Sequence, residues 1–222
     1  SDKPHIRFCL QGNQPFRYVE IIKNGKILHH VGGQSSHVTT EDNTHLIKIE
    51  WGWGHKDQVV NWDNLLRVID GEIISVEPCF RHTAFDTSTN ASPHQITELT
   101  NDGIRWKSCT RGVPDSFVHN PQTMTSGVNA LILQISGKDT ARIEFESNHL
   151  KAAAPLSRLR SASFVKHAEG HCSPAVRFGR AYPASACKVE GELFDSADSA
   201  GSSYYPTGQQ IDGESIWVSP IW

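Results

Sequence analysis

The sequence contains few of the features that mark membrane proteins, zinc proteins or redox proteins. No apolar run approaches the roughly 20 residues that a membrane helix needs, and residues 1–4 show no signal-peptide core. The five cysteines include no C-x-x-C pair, the spacing typical of zinc or redox sites. Because five is an odd number, at least one thiol stays free in any intramolecular pairing. The cysteines therefore leave open whether the protein is extracytoplasmic.

The chain also has no large excess of positive or negative charge. The formal net charge is -3, and no lysine- or arginine-rich run is present. A phosphate backbone is bound mainly through such basic clusters. We therefore expect neither nucleic acid nor a membrane as a partner. Hydrophobic residues make up 37% of the chain, which is enough to build a packed core.

Catalytic motifs are the third absence. The chain has no Gly-x-Ser-x-Gly elbow, no phosphate-binding glycine loop and no cysteine-nucleophile signature. We therefore assign no catalytic residue and expect no cofactor. Hydrolases and lyases on jelly-roll folds leave no spacing signature in the sequence, because their catalytic residues lie on separate strands. These residues are two acids in a glycoside hydrolase, and Tyr, His and Arg in a polysaccharide lyase. A jelly-roll glycoside hydrolase or polysaccharide lyase accordingly remains an alternative.

Turn signals between β-branched runs are what the sequence does contain. Asn-Gly and Asp-Gly dipeptides flanked by such runs favour two-residue hairpins. They occur at Asn24-Gly25, Asp70-Gly71, Asp102-Gly103 and Asp212-Gly213. A fifth hairpin is predicted from residues 130–135 and 140–146, joined by the polar loop 136–139. The pattern predicts about ten strands.

Helical periodicity is nearly absent. Only residues 150–159 could form a short helix, broken near Pro155. Antiparallel strands with tight turns predict an all-β fold, an antiparallel β-sandwich or jelly roll. We expect a single domain over residues 1–222, with a weak subdivision near residues 80–95.

The tryptophans divide into two groups by strand alternation. Trp51, Trp53, Trp62 and Trp106 share a face with aliphatic residues and are predicted to lie in the core. Trp217 alternates with Ser215 and Ser219, which predicts an exposed side chain. Tyr204, Tyr205 and Trp222 are near it in sequence, and exposed aromatic rings stack on sugars or on other domains. We therefore predict a ligand-binding group consisting of Trp217, Tyr204, Tyr205 and Trp222.

One short segment groups possible metal ligands. His167, His171 and Cys172 lie within six residues, with Glu169 between them. Closed zinc sites need four converging ligands, and one loop cannot supply that geometry by spacing alone. These three residues are the metal-site candidates, and a surface loop with titratable side chains is the simpler interpretation.

The C-terminal segment resembles a known family. Tyr204-Tyr205, then residues 210–213 (Gln-Ile-Asp-Gly) and 217–222 (Trp-Val-Ser-Pro-Ile-Trp), are similar to the closing hairpin of large PHP-type, metallophosphoesterase-like hydrolases. Residues 51–54 (Trp-Gly-Trp-Gly) and 66–73 resemble the β-sandwich that accompanies those catalytic domains. Pro206 departs from the pattern, because proline removes a donor from a strand.

The resemblance implies an accessory role. The histidine- and aspartate-rich metal motifs of a PHP catalytic barrel are missing, so no catalytic residue can be assigned from the family. The chain would be the C-terminal β-sandwich region of such a protein, with another domain of the same parent protein as its partner. The alternative interpretation is a carbohydrate-binding module with a glycan as its partner.

Overall fold

The structure is a computed structural model that describes residues 3–33, 43–54, 58–80, 94–111, 127–170, 173–196 and 201–222. The described residues form mainly β-strands, and the registered strand pairs are antiparallel. The predicted all-β class is thereby confirmed. Within the described part of the chain, no helix has the length and apolar character needed to cross a membrane.

Fifteen strands and one α-helix follow one another along the described chain. The strands are β1 (His5–Gln11), β2 (Phe16–Lys23), β3 (Lys26–Gly32), β4 (Thr44–Gly52), β5 (Val59–Cys79), β6 (Gln95–Leu99), β7 (Gly103–Arg111), β8 (Val128–Ser147), β9 (Lys151–Pro155), β10 (Phe164–His167), β11 (Ala175–Phe178), β12 (Tyr182–Pro183), β13 (Lys188–Phe194), β14 (Tyr204–Gln210) and β15 (Ser215–Trp217). The α-helix is α1 (Leu156–Ser161), and a short 3₁₀ helix covers Ala184–Cys187.

The chain divides into two compact units. The small unit combines Ser1–Asp42 with Tyr182–Trp222, and the large unit is Asn43–Ala181. The predicted weak subdivision near residues 80–95 falls mostly at 81–93, which lie outside the described residues. Whether both units unfold as one domain, as the sequence predicts, stays a prediction.

The small unit is built from a two-stranded and a four-stranded sheet. Strands β1 and β13 form the first, and the order β15-β14-β2-β3 forms the second. Apolar side chains of both sheets share one core, which includes Phe8, Val19, Ile21 and Val189. The Asn24-Gly25 hairpin between β2 and β3 is confirmed, with positive φ at both turn residues (48° and 78°).

The large unit contributes eight strands to a single sheet that folds over on itself. Its main order is β10-β11-β4-β8-β5-β7-β6, and β9 pairs with β8. The long strands β5 and β8 pair along almost their whole length, from Asn64–Ser147 to Cys79–Ala130. Residues from both halves of this ribbon lie in one core, as Ile135 and Phe145 of β8 do.

The ribbon bends where the sequence predicts a hairpin. The prediction of a hairpin at Asp70-Gly71 is wrong, because both flanking runs belong to the continuous strand β5. Asp70 does adopt positive φ (57°), and the register of β5 against β8 shifts there. A β-bulge uses the same residue types as a tight turn and bends the strand instead of reversing it.

The fifth predicted hairpin is wrong for the same reason. Residues 130–146 belong to one strand, β8, and the expected loop is a second irregularity opposite Asp70. Gly137 pairs with Gly71 and Arg142 with Ile69, so residues 138–141 have no partner on β5. A Cβ added to Gly71 would lie 2.7 Å from the Ser136 carbonyl oxygen. The close approach of the two strands therefore requires glycine at the bend.

Two more predicted hairpins are confirmed, and the predicted helix is confirmed in part. The hairpins at Asp102-Gly103 and Asp212-Gly213 are present as β6–β7 and β14–β15. The helix expected over residues 150–159 forms only after Pro155, as α1, and β9 occupies the first half. Pro155 precedes the first helical residue, where a missing N–H costs least.

Three of the four tryptophans predicted for the core are buried there. Trp51, Trp62 and Trp106 are at most 2% exposed, whereas Trp53 follows β4 with positive φ and is half-buried. The Trp51 indole donates to the Ser108 hydroxyl at 2.7 Å, and the Trp62 indole donates to the Thr110 hydroxyl at 2.8 Å. Strand β7 thus supplies the buried acceptors that two of these rings need.

Candidate functional site: the outer face and apolar edge of the four-stranded sheet

One face of the four-stranded sheet carries aromatic and polar side chains in register. Trp217 of β15 lies opposite Thr207 of β14, which lies opposite Glu20 of β2, and Glu20 lies opposite His30 of β3. Directly paired residues of antiparallel strands project from the same face. These four side chains therefore form one row across all four strands, on the side away from Val19 and Ile21. We call this side the outer face.

A neighbouring row adds to the outer face. Tyr18 of β2 lies opposite Gln209 of β14, and the Tyr18 and His30 rings stack with centroids 6.0 Å apart and an interplanar angle of 19°. The His30 Nδ1 atom lies 3.2 Å from a Glu20 carboxylate oxygen. The Arg17 guanidinium donates to the Gln209 amide oxygen at 3.2 Å. Ring surface and hydrogen-bonding groups thus alternate across the outer face.

The predicted ligand-binding residues are only partly brought together. Trp217 is 76% exposed on the outer face, as the alternation predicts. Tyr205 is half-buried and projects from that face too, because it lies opposite Ile22, two residues from Glu20. Trp222 is 95% exposed, at the C-terminal end.

Tyr204 projects from the opposite face. It is 7% exposed and belongs to the core shared by the two sheets. Its hydroxyl donates to the Asp195 carboxylate at 2.7 Å, and the Lys23 ammonium lies 2.6 Å from the same oxygen. The pKa of Asp195 is held below its ordinary value, first by the Lys23 ammonium and then by the Tyr204 hydroxyl. This arrangement serves the core and leaves the Tyr204 ring without an accessible surface.

The edge of the sheet beyond β15 is apolar and exposed. Ile221 joins the edge through two backbone hydrogen bonds with Tyr204, at 2.8 and 2.9 Å. Ile221 is 64% exposed and Val218 is 46% exposed, while Ile216 is half-buried against the core of the small unit. Among the described residues of the small unit, a two-stranded sheet shares its core with this four-stranded one. We call Val218, Ile221 and Trp222 the apolar edge.

Pro206 explains why β15 is short. It pairs with Ile21 inside the continuous strand β14. Tyr204 hydrogen-bonds toward Ile221, so Pro206, two residues on, turns its ring nitrogen toward the same side. That nitrogen cannot donate to residues 218–220, which form no strand. Pro206 therefore interrupts the neighbouring segment 218–220 of the same chain, and β14 itself stays continuous.

The structure describes one of the three metal-site candidates. His167 ends β10 and is half-buried, while His171 and Cys172 lie outside the described residues. Among the residues that the structure describes, no group of three or more His, Cys, Asp or Glu side chains could hold a metal ion.

The large unit has a separate pocket of about 350 Å³ on the sheet surface formed by β5, β8 and β9. Its charged lining residues are Arg67, Glu144, Glu146 and Lys151. Glu144 is paired with Arg142 and Glu146 with Lys151. The Glu146–Lys151 pair joins β8 to β9, whereas Arg142 and Glu144 lie on the same strand. Three of the four charged lining residues therefore already have ion-pair partners within the protein.

Sequence reasoning missed the β2 and β3 side of the outer face. The alternation of Tyr18 and Glu20 with Val19 and Ile21 places the polar pair on one face, and this signal was available in the sequence. Their proximity to Trp217, nearly 200 residues away, depends on the pairing of β2 with β14. Comparisons of the chain with protein-family models, curated proteins and solved structures found no match.

Proposed function

We propose that this chain is a non-catalytic accessory β-sandwich module of a larger hydrolase-like protein, and that it packs against another domain of that protein. The observation that carries the proposal is the apolar edge. Val218, Ile221 and Trp222 are 46%, 64% and 95% exposed and lie within five consecutive residues after β15, and Ile221 pairs with Tyr204 at the border of the sheet. Clustered exposed apolar residues are typical of protein interaction sites.

The position of the apolar edge supports docking in particular. Ile216 and Tyr204, which flank it, contribute to the core of the small unit. The edge therefore extends an existing core at a border that the two-stranded sheet leaves uncovered. A packed domain would continue that core and remove the edge from water. The resemblance of residues 204–222 to the closing hairpin of PHP-type hydrolases supports a hydrolase domain as the partner.

The experiment is a binding measurement between this chain and the rest of its natural protein. The two parts are produced as separate polypeptides, and their affinity is measured by isothermal titration calorimetry. The double variant Val218→Ser/Ile221→Ser should weaken binding at least about tenfold, because central apolar contacts carry most interface energy. Ile27→Ser is the matched control, since Ile27 is 60% exposed on the edge strand β3.

Two results would contradict the docking proposal. The first is a natural protein that contains no further domain. The second is binding that tolerates the double variant as well as the control.

Carbohydrate binding is the second candidate, and the outer face favours it. A sugar ring has an apolar face and a rim of hydroxyls, and an exposed aromatic ring beside hydrogen-bonding groups matches both. Trp217 is 76% exposed and shares its row with Glu20 and His30. A glycan array probed with the protein and with Trp217→Ala tests this candidate, with Phe194→Ala, an exposed aromatic residue of the two-stranded sheet, as the control. Binding lost only in Trp217→Ala would support it, and no binding to any glycan would reject it.

A further inference from the structure

The outer face has an aromatic surface at each end of one row. Trp217 stands on β15, and the stacked Tyr18 and His30 rings stand on β2 and β3. The sheet order places β15 and β3 at opposite edges, three strand spacings or about 14 Å apart. A ligand that contacts both ends must therefore run across the strands.

The residue in the middle of the row has a small, buried side chain. Thr207, between Trp217 and Glu20, is only 8% exposed, and its hydroxyl donates to the Ile216 carbonyl at 3.0 Å. Along β14 it lies between the larger side chains Tyr205 and Gln209, which project from the same face. A ligand that runs along the row would therefore contact Tyr205 and Gln209 on either side of the smaller Thr207.

The formal charges of Glu20 and Arg17 on the outer face are of opposite sign. The Glu20 carboxylate contacts the His30 ring at 3.2 Å, and the Arg17 guanidinium is bonded to the Gln209 amide. The carboxylate, imidazole and amide are therefore offered as hydrogen-bonding groups without a large net charge. An uncharged ligand complements a surface on which one carboxylate and one guanidinium offset each other, because neither sign of charge is in excess.

We propose that the outer face binds a neutral, extended oligosaccharide of about three rings that lies across the strands, a length that matches the separation of the two aromatic ends. One terminal ring stacks on Trp217, and the ring at the other end contacts the Tyr18–His30 pair. The central ring lies over Thr207, within reach of Glu20 and Gln209. This inference rests on the second candidate function, carbohydrate binding, and adds the class and length of the ligand.

The experiment measures affinity against ligand length. Cello-, xylo- and manno-oligosaccharides of one to five units are titrated into the complete chain by calorimetry. For the sugar series that binds, affinity should rise at least about tenfold from the disaccharide to the trisaccharide and then level off, because only the longer ligand reaches both rings.

Two variants assign the ends. Trp217→Ala should weaken binding of every length at least about fivefold, since it removes the more exposed stacking surface. His30→Ala should weaken the trisaccharide by a similar factor and leave the monosaccharide unchanged. Phe194→Ala is the control and should bind all lengths as the unaltered chain does, because Phe194 is an exposed aromatic residue on β13, outside the four-stranded sheet. A general structural effect of His30→Ala would not depend on ligand length.

The outcomes separate this inference from the candidate function beneath it. Trp217-dependent binding that shows no length dependence and no effect of His30→Ala would overturn the inference and leave carbohydrate binding standing. Binding restricted to acidic glycans would overturn the neutral ligand. The absence of binding to any glycan would overturn both.

Discussion

The Tyr204 hydroxyl donates a 2.7 Å hydrogen bond to the Asp195 carboxylate, and both side chains are buried. The Lys23 ammonium contacts the same carboxylate oxygen at 2.6 Å and lies 5.9 Å from the centre of the Tyr204 ring. Tyr204 comes from β14, Lys23 from β2, and Asp195 follows the last residue of β13. The cluster therefore links the four-stranded sheet to the two-stranded one.

Tyr204→Phe should destabilise the protein by about 1–2 kcal/mol. The change keeps the ring in the core and removes one hydrogen bond to a buried carboxylate. Hydrogen bonds to charged groups contribute more to the free energy of unfolding than those between neutral groups. Urea unfolding followed by tryptophan fluorescence measures the free energy of unfolding. Tyr205→Phe is the matched control and should change that free energy by less than about 0.5 kcal/mol, because Tyr205 projects from the outer face.

The Asp195 cluster should also make stability depend on acid pH. The Lys23 ammonium and the Tyr204 hydroxyl hold the pKa of Asp195 below its ordinary value of about 3.9. A lowered folded-state pKa adds stability above the unfolded pKa, and that stability is lost as pH falls through the folded value. Asp195→Asn should therefore be less stable than the unaltered chain near neutral pH, and the difference should shrink below about pH 4. A difference that stays constant from pH 7 to pH 3 would contradict this assignment.

Gly71→Ala should destabilise the large unit by about 1–3 kcal/mol. The new Cβ would lie 2.7 Å from the Ser136 carbonyl oxygen and 2.9 Å from a Val68 methyl group. The backbone on the β8 side would have to move. Gly170→Ala is the control in the same unit, because no atom of the described residues lies within 4 Å of a Cβ at that position. Equal unfolding midpoints for the two variants would contradict the close approach at the bend.

Thr110→Val should cost about 1–3 kcal/mol, because the Trp62 indole N–H would lose its acceptor in a buried position. The substitution keeps the size of the side chain, so the loss reports the hydrogen bond rather than a cavity. Thr97→Val is the matched control, since Thr97 is exposed on β6. The measurement is the unfolding free energy of each variant, and similar values for both would argue against the bond.

Local signals were sufficient for the class of fold but not for the path of the chain. Asn24-Gly25 closes a hairpin as predicted, whereas Asp70-Gly71 bends a strand. Both residues of Asn24-Gly25 adopt positive φ, whereas in the second dipeptide only Asp70 does. The difference lies in the partner: β5 continues past Asp70 because β8 pairs with it on both sides of the bend. Such long-range pairing leaves no trace in a window of ten residues.

The candidate site shows the same limit. Alternation correctly separated the buried Trp51 from the exposed Trp217. Alternation places the adjacent Tyr204 and Tyr205 on opposite faces, but it does not indicate which of the two faces the core, and the predicted ligand-binding group contained both. His30 and Glu20 join Trp217 only through the register of β2 with β14 and β3. A register between distant segments follows from the packed fold.

The two units offer a direct test of the predicted single domain. Tyr204→Phe acts in the small unit and Thr110→Val in the large one. If residues 1–222 unfold as one cooperative domain, each variant should lower the protection of slowly exchanging amides in both units by the same free energy. Amides of β2 report the small unit and amides of β8 the large one. If Tyr204→Phe lowers protection in β2 alone, and Thr110→Val lowers it in β8 alone, the units unfold independently and the single-domain prediction is wrong. That outcome would also allow the small unit, which carries the outer face and the apolar edge, to be opened without unfolding the large sheet.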